Sequence, residues 1–435
     1  MSLNRKAMVL AVGAALTAPG AYAQVKSPAG SDWEFYGKFY PEIAQIKGES
    51  PSAVGTSVST LSAAATGTSN LVNRSEMLVG NSYLGFRGSK AIGSGMKAIW
   101  QVESTVPIDE GGSAAADTGT LATRDSFMGI DAQWGTLRLG FMDTPFKKAG
   151  DVVGFLGVSS GNFVQTNPVL RQVGFASSGS GPNRASRFHE RRGNAIDFAS
   201  PTFFGGLQYL GQYSTGNPSE TSHTASRNPR FVSMALKWES GPWYFAAMQE
   251  THFDMYGGSS NVASARSNNF TPTPPAIAPV PDPGVRSKDT AAQVTGMYKI
   301  GGHTFEADYI KKSYKENTGD STINNPNGRF QTYKNNAWMV AWEARWSAQW
   351  RTAVTYVGAS AGNCTLFNAG CDTTGLEGKQ FSLGGSYYID PSMYVFLIGS
   401  KIINGASARY DNVANGAPAT GEDVTQVALG LAYTF

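Results

Sequence analysis

Lys38, Arg87, Lys97, Arg124 and Arg138 recur in segments where polar and apolar side chains alternate. Glu34, Glu103, Glu306, Asp308 and Glu343 hold the same kind of position. Charges of this kind on one face of a sheet make and break no bonds. Around an aqueous path they set a field, and the field sorts ions by sign. The catalytic signals are weaker. GVSSG at 157–161 fits G-x-S-x-G, but that motif needs a strand-to-helix elbow with a His and an acid behind it. Here it lies in a Gly/Ser-rich stretch of an all-β pattern. His189, His223, His252 and His303 are scattered without metal-ligand spacing. No glycine-rich phosphate loop ends in Lys-Ser or Lys-Thr. The residues therefore call for no metal and no cofactor. Cys364 and Cys371 stand close together in CTLFNAGC, and in an oxidising compartment a disulfide is the expected state.

Strands must hold these charges. In TQVALGLAYTF, residues 425–435, Val427, Leu429, Leu431, Tyr433 and Phe435 fall on one face, and small or polar residues fall on the other. Trp33, Phe35 and Phe39 alternate with Glu34, Tyr36 and Lys38 in the same way. About sixteen such segments recur, an even number as in a single-chain bacterial barrel. They run approximately 33–46, 81–90, 96–106, 123–131, 136–142, 194–201, 205–213, 230–238, 243–254, 289–299, 304–314, 335–345, 350–357, 379–388, 393–401 and 424–435. The segments 243–254 and 393–401 are apolar on both faces, which leaves their orientation open. Short connections such as KAIGSGM, DAQWG and YIDPSM alternate with long ones at 47–80, 107–122, 143–193, 214–229, 255–288, 315–334, 358–378 and 402–423. The prolines of TPTPPAIAPVPDPG keep the 255–288 connection out of any sheet.

The first residues read as an export signal. Arg5 and Lys6 precede an apolar run, Ala7–Ala18, too short to span a bilayer, and Ala21-Tyr22-Ala23 is a cleavage site. Residues 1–23 are then a signal peptide, and 24–435 are the mature domain. No other segment is apolar enough for a spanning helix, so residence in a membrane requires a closed barrel. Without Arg5 and Lys6 the chain carries 33 basic and 32 acidic residues, which argues against nucleic acid as a partner. The expected fold class is all-β, a transmembrane antiparallel β-barrel in the outer membrane of a Gram-negative bacterium, with its long loops facing outward from the cell.

NSYLGFRGSKAIGSGMKAIWQVE at 81–103, RDSFMGIDAQWGTLRLG at 124–140, YGK at 36–38 and the aromatic C-terminus together resemble the general porins of Gram-negative bacteria, especially those of β-proteobacteria. The resemblance implies a homotrimer of sixteen-stranded barrels in outer-membrane lipid. It implies a water-filled pore, narrowed by an inward-folded third loop, that passes ions and small hydrophilic solutes without chemistry. The third long connection here is the largest, and folding into the lumen would explain its length. Lys38 and Arg124 match basic pore-wall positions of the family, and Tyr433 and Phe435 match the address read by the barrel-insertion machinery. There are departures. Phe141 and Asp197 stand where relatives carry Arg, and the Pro-Glu-Phe-Gly signature of the third loop is absent. The loop region offers Arg171, Arg184, Arg187, His189, Arg191 and Arg192 against Asp151 and Glu190. The expected pore-lining set is Lys38, Arg87, Lys97, Arg124, Arg138, Asp197, Arg187 and Arg191, with a weak preference for anions. Two other readings stand beside this one. One is a substrate-selective porin using lumen aromatics such as Tyr36, Tyr40 and Tyr83. The other is a barrel that anchors an adhesin or enzyme.

Overall fold

The computed structural model describes residues 31–79, 82–108, 121–150, 168–175, 188–215, 230–253, 286–317, 330–411 and 417–435. The expected signal peptide, the GVSSG stretch and Arg184 and Arg187 lie outside the described residues. In chain order the strands are β1 (Ser31–Phe39), β2 (Glu42–Glu49), β3 (Arg74–Leu78), β4 (Tyr83–Gly93), β5 (Met96–Thr105), β6 (Ser126–Ala132), β7 (Gly135–Asp143), β8 (Arg191–Ala199), β9 (Leu207–Ser214), β10 (Arg230–Ser240), β11 (Trp243–Phe253), β12 (Arg286–Ile300), β13 (His303–Asn317), β14 (Phe330–Arg345), β15 (Trp350–Ala359), β16 (Asn363–Leu366), β17 (Gly378–Tyr388), β18 (Met393–Asn404) and β19 (Asp423–Thr434). They form one antiparallel sheet that closes on itself where β1 and β2 meet β19.

Three crossings are each built from two segments, so the nineteen segments make sixteen crossings. β1 and β2 are split at Pro41, which has no N–H for the ladder. β3 extends β4 towards the long loops by pairing with β2, so residues 74–78 belong to the wall and not to the first loop. β16 continues β15 along the edge of β14.

Side chains alternate between the two faces of the wall. Val427 and Leu429 of β19 point out, whereas Gln426 and Ala428 are buried on the inner face. Ile43, Met128, Ile196, Val294 and Leu383 are likewise exposed on the outside. So much exposed apolar surface suits a wall in contact with hydrocarbon. Register settles the two ambiguous strands. Leu397 lies opposite Leu429, and Phe245 lies opposite Trp238, so these side chains share the outer face with their partners. Phe396 and Ile398 then turn inward, where they join Tyr40, Ala44, Ile46 and Ala428 in an apolar patch.

Long-range hydrogen bonds brace the long-loop mouth. Ser59 Oγ donates to Asp372 O at 2.7 Å, Ser62 Oγ to Ser407 O at 2.7 Å, and Asn70 N to Glu422 Oε2 at 3.0 Å. The first, seventh and eighth long connections are thereby tied together. Within the seventh, Cys364 and Cys371 form a disulfide with their Cα atoms 5.7 Å apart. Among the described residues no helix is long and apolar enough to cross a membrane.

Candidate functional site

The third long connection supplies two short helices, α1 (Pro145–Gly150) and α2 (Pro168–Arg171). Thr144 starts α1. Its Oγ1 accepts from Lys147 N at 3.2 Å, and Pro145 takes the first helical position, where a missing N–H costs nothing. Phe146, Ala149 and Gly150 share one buried face, at i, i+3 and i+4, and Lys147 and Lys148 project elsewhere. That buried face docks on inward-pointing residues of the wall. Phe146 N donates to Ser233 Oγ at 3.1 Å, Tyr244 Oη to Ala149 O at 2.7 Å, and Gln293 Nε2 to Gly150 O at 3.0 Å. A Cβ at Gly150 would stand 2.7 Å from Met248 Sδ, 2.8 Å from Gln293 Nε2 and 3.1 Å from His189 Cε1, so a larger residue would push these side chains out of their contacts with α1. α2 is held further round the barrel by Lys312, whose Nζ donates to Leu170 O at 2.7 Å and also to Gln172 O. Phe146, Leu170 and Phe188 are fully buried among Met248, Tyr314 and Tyr333. Each such side chain contributes roughly 1.5–3 kcal/mol by leaving water.

α1 faces a row of ion pairs on β5–β9. Arg138 Nε donates to Asp197 Oδ1 at 2.8 Å, Gln212 Nε2 reaches Asp197 Oδ2 at 3.2 Å, and Lys148 Nζ lies 3.4 Å from the same oxygen. Arg191 binds Asp125 and, at 3.0 Å, Asp143, and Lys147 Nζ meets Asp143 at 3.0 Å. Arg124 pairs with Glu103, which also accepts from Tyr36 Oη at 3.0 Å. Lys38 is buried, with its Nζ 4.8 Å from the centre of the Tyr40 ring. Arg87 forks onto Glu34 at 2.9 and 3.0 Å, more exposed to solvent. Lys97 lies opposite Asp131 near the short-turn end. Of the residues expected to line the pore, Arg124, Arg138, Asp197 and Arg191 are thus brought together. Arg87 touches this group only through Tyr36, 4.7 Å from its ring centre, and Lys97 stands apart.

Phe141 sits within a register shift of the β7–β8 ladder, between Gly140 and Met142, and Arg191 lies 5.9 Å from its ring. The wall on which α1 docks is itself acidic. Asp308 accepts from Thr295 and, at 3.3 Å, from the same Gln293 that meets Gly150, and Glu306 is buried beside it on the inner face. Sequence reasoning overlooked Lys147, Lys148, Asp125, Asp143 and Gln212. The Thr-Pro start of α1 is a readable cap that would have placed both lysines on a helix. Nothing local in the sequence marks the others. His189 closes the site from behind, with Nε2 2.7 Å from Gln293 Oε1. Its burial lowers its pKa to about 4, so it is neutral at ordinary pH. Among the described residues no cluster of His, Cys, Asp and Glu is placed to hold a metal.

Comparison with known proteins agrees with this architecture. Residues 8–402 match the family model described as Gram-negative porin. A relative, major outer membrane protein P.IB of Neisseria gonorrhoeae, is 32% identical over 149 residues, 34% of this chain. The chain spans 38% of the length of that relative. Major outer membrane protein P.IA of Neisseria meningitidis serogroup C is 36% identical over 72 residues, 17% of each chain. Among solved structures, an anion-selective porin from Comamonas acidovorans aligns with a TM-score of 0.64 at 16% identity, covering 93% of this chain and 100% of that one. The trimer form of OmpT, an outer membrane protein of Vibrio cholerae, aligns with a TM-score of 0.60 at 13% identity, covering 93% of this chain and 99% of that one. At those identities the structural likeness speaks for the fold. The family match over residues 8–402, on a closed sixteen-crossing barrel, makes this chain a member of the Gram-negative porin family.

Proposed function

We propose that the protein is an outer-membrane channel, not an enzyme, that passes ions and small hydrophilic solutes by diffusion with a weak preference for anions. The observation that carries the reading is the docking of α1 inside the barrel against the ion-pair row. Lys38, Arg124, Arg138, Lys147, Lys148 and Arg191 there outnumber Glu103, Asp125, Asp143 and Asp197. Arg187 belongs to the same proposed set through its place in the third connection. Glu306 and Asp308, buried on the wall against which α1 docks, oppose this excess, which keeps the preference small. The anion-selective porin of Comamonas acidovorans shares the fold and supports the same sign. Residues 1–23 direct export, the mature chain starts at Gln24, and three copies assemble in outer-membrane lipid, as the trimer form of OmpT suggests by analogy of fold. Tyr433 and Phe435 serve as the signal for the insertion machinery. Planar-bilayer recording under a potassium chloride gradient tests the reading: a small reversal potential of anionic sign is expected. No conductance, or strong cation selectivity, would overturn it.

One observation favours a more selective channel. Arg351 lies 4.0 Å from the Tyr388 ring centre, beside the inner stack of Tyr388, Tyr394, Phe396 and Tyr40. Arg351 and Tyr388, the half-buried members of this group, suit an aromatic acid or a sugar. Saturable block of conductance by one such solute, lost on Arg351→Gln, would establish it.

A further inference from the structure

Residues 371–377 of the seventh long connection meet the first, third and eighth connections at once. Asp372 faces the first. Its N donates to Thr60 Oγ1 at 2.9 Å, and its carbonyl accepts from Thr60 N at 3.1 Å and from Ser59 Oγ. Thr374 and Gly375 face the eighth, where their carbonyls accept from Ser407 Oγ at 2.6 Å and from Ser407 N at 2.9 Å. Leu376 faces the third. Its side chain is fully buried in one cluster with Val173 and Phe175, and a Cβ at Gly174 would collide with its carbonyl oxygen. The eighth connection grips the same piece of the third. Arg409 N donates to Gly174 O at 2.7 Å, and Gln172 Nε2 donates to Asp411 O at 3.1 Å. Residues 168–175, which begin with α2, are therefore backed by a hub at 371–377.

The C-terminal end of the hub runs straight into β17. Its N-terminal end, Cys371, is bonded to Cys364 of β16, and Cys364 lies opposite Tyr333 of β14. Phe175 meets the same Tyr333 edge-on, with ring centres 4.8 Å apart. Beside the disulfide, Thr373 Oγ1 donates to Gly362 O at 2.8 Å, but a hydrogen bond at a wet mouth exchanges with water and a covalent bond does not. Both cysteines are half-buried, and Asn368, Ala369 and Gly370 between them are exposed, so solutes at the mouth can reach the sulfurs. We propose that the Cys364–Cys371 bond is a redox-sensitive latch on the third connection, opened by low-molecular-weight thiols at the long-loop mouth. A thiolate attacks one sulfur, the Cys364–Cys371 bond breaks, and the released protein thiolate takes a proton. A second thiol then attacks the mixed disulfide and frees the other cysteine as a thiol, and the two small thiols leave joined as one disulfide. The hub swings on its β17 end, 168–175 loses its backing, and the lumen beside α2 widens. α1 is docked separately on β10–β12, so the ion-pair row keeps its place. This inference rests on reading the chain as a channel, and hydrogen exchange reads the latch without any conduction.

The test uses the mature protein, folded with its disulfide intact and reduced afterwards with dithiothreitol, whose two thiols serve both steps. Exchange over 168–175 should speed up about tenfold or more, while 144–150 and the strands keep their rates. Single-channel conductance in a planar bilayer should rise with the reversal potential unchanged, and reoxidation should restore both readings. Cys364→Ser with Cys371→Ser should behave as the reduced protein from the start and ignore the thiol. Gly174→Ala, which pushes the third connection off Leu376 with the disulfide intact, should also speed exchange over 168–175. If the double serine variant does not fold, reduction of the folded protein and Gly174→Ala decide. Unchanged exchange over 168–175 on reduction, unchanged conductance in a channel that conducts, or an equal response to thiol in the serine variant would each overturn the proposal. Faster exchange over 168–175 in a protein that passes no ions would uphold the latch and overturn the channel.

Discussion

Arg124 does not act as an isolated positive charge, because Glu103 accepts from it and from Tyr36. Neutralising it therefore removes a cation and uncovers a carboxylate. Lys38→Gln with Arg124→Gln should shift the reversal potential towards cations at 0.1 M salt. The shift should fade at 1 M, where the Debye length falls from about 10 Å to 3 Å. An unchanged reversal potential at low salt would place both residues away from the filter. His189 gives a second prediction. Its folded-state pKa is about 4, below its ordinary 6.5, chiefly because it is buried. The unfolded or undocked chain binds the proton more readily, so docking of the third connection is fully stable above pH 6.5 and weakens as pH falls from 6.5 towards 4. Hydrogen exchange over residues 144–150, corrected for intrinsic rate, should rise across that window. His189→Asn, which cannot titrate and tolerates the positive φ of 64° found here, should flatten the rise. Period-two alternation was enough to find Arg138, and the family resemblance singled out Asp197, but neither paired them. Their contact depends on register between strands 59 residues apart, which no local pattern encodes.

At the scale of elements, most of the wall was legible because one face of each strand is apolar and the other is not. Alternation leaves the orientation open where both faces are apolar, in β11 and β18, and there neighbouring strands decide it. Alternation failed at Arg74–Leu78, whose short RSEML segment shows little contrast and is recruited by β2. Leu429 tests the outward assignment. Leu429→Arg should destabilise the barrel by roughly 2–4 kcal/mol if the position is near the bilayer midplane. Leu429→Met should cost less than about 1.5 kcal/mol. Denaturant unfolding from lipid vesicles measures both, and a harmless arginine would reverse the in–out assignment of β19. The seventh connection makes a different prediction. The Cys364–Cys371 ring is short, so its bridge contributes at most roughly 2–3 kcal/mol, and only locally. Replacing both residues with serine should speed hydrogen exchange around Asp372 and at its partners Ser59 and Thr60, and leave the strands protected. Mass spectrometry should find both thiols oxidised in protein taken from the membrane.

At the scale of the whole molecule, the proposed trimer should migrate as a heat-modifiable species in detergent gels and collapse to one faster-moving monomer band on boiling. A monomer before boiling, with the barrel intact by circular dichroism, would remove the trimer from the proposal. The seam of the barrel carries a separate consequence. Gly37 and Phe435 exchange two backbone hydrogen bonds, at 3.0 and 3.1 Å, and Gly37 leaves no room for a side chain against Phe435 and Leu84. These partners are about 400 residues apart, and closing a loop of that length costs roughly 5 kcal/mol of chain entropy. Until they meet, two strand edges expose bare N–H and C=O groups to hydrocarbon. A half-zipped cylinder is therefore the least comfortable state the chain can occupy. Formation is slow, and escape is slower still. Once sealed, such a wall offers no loose end from which it could be unravelled.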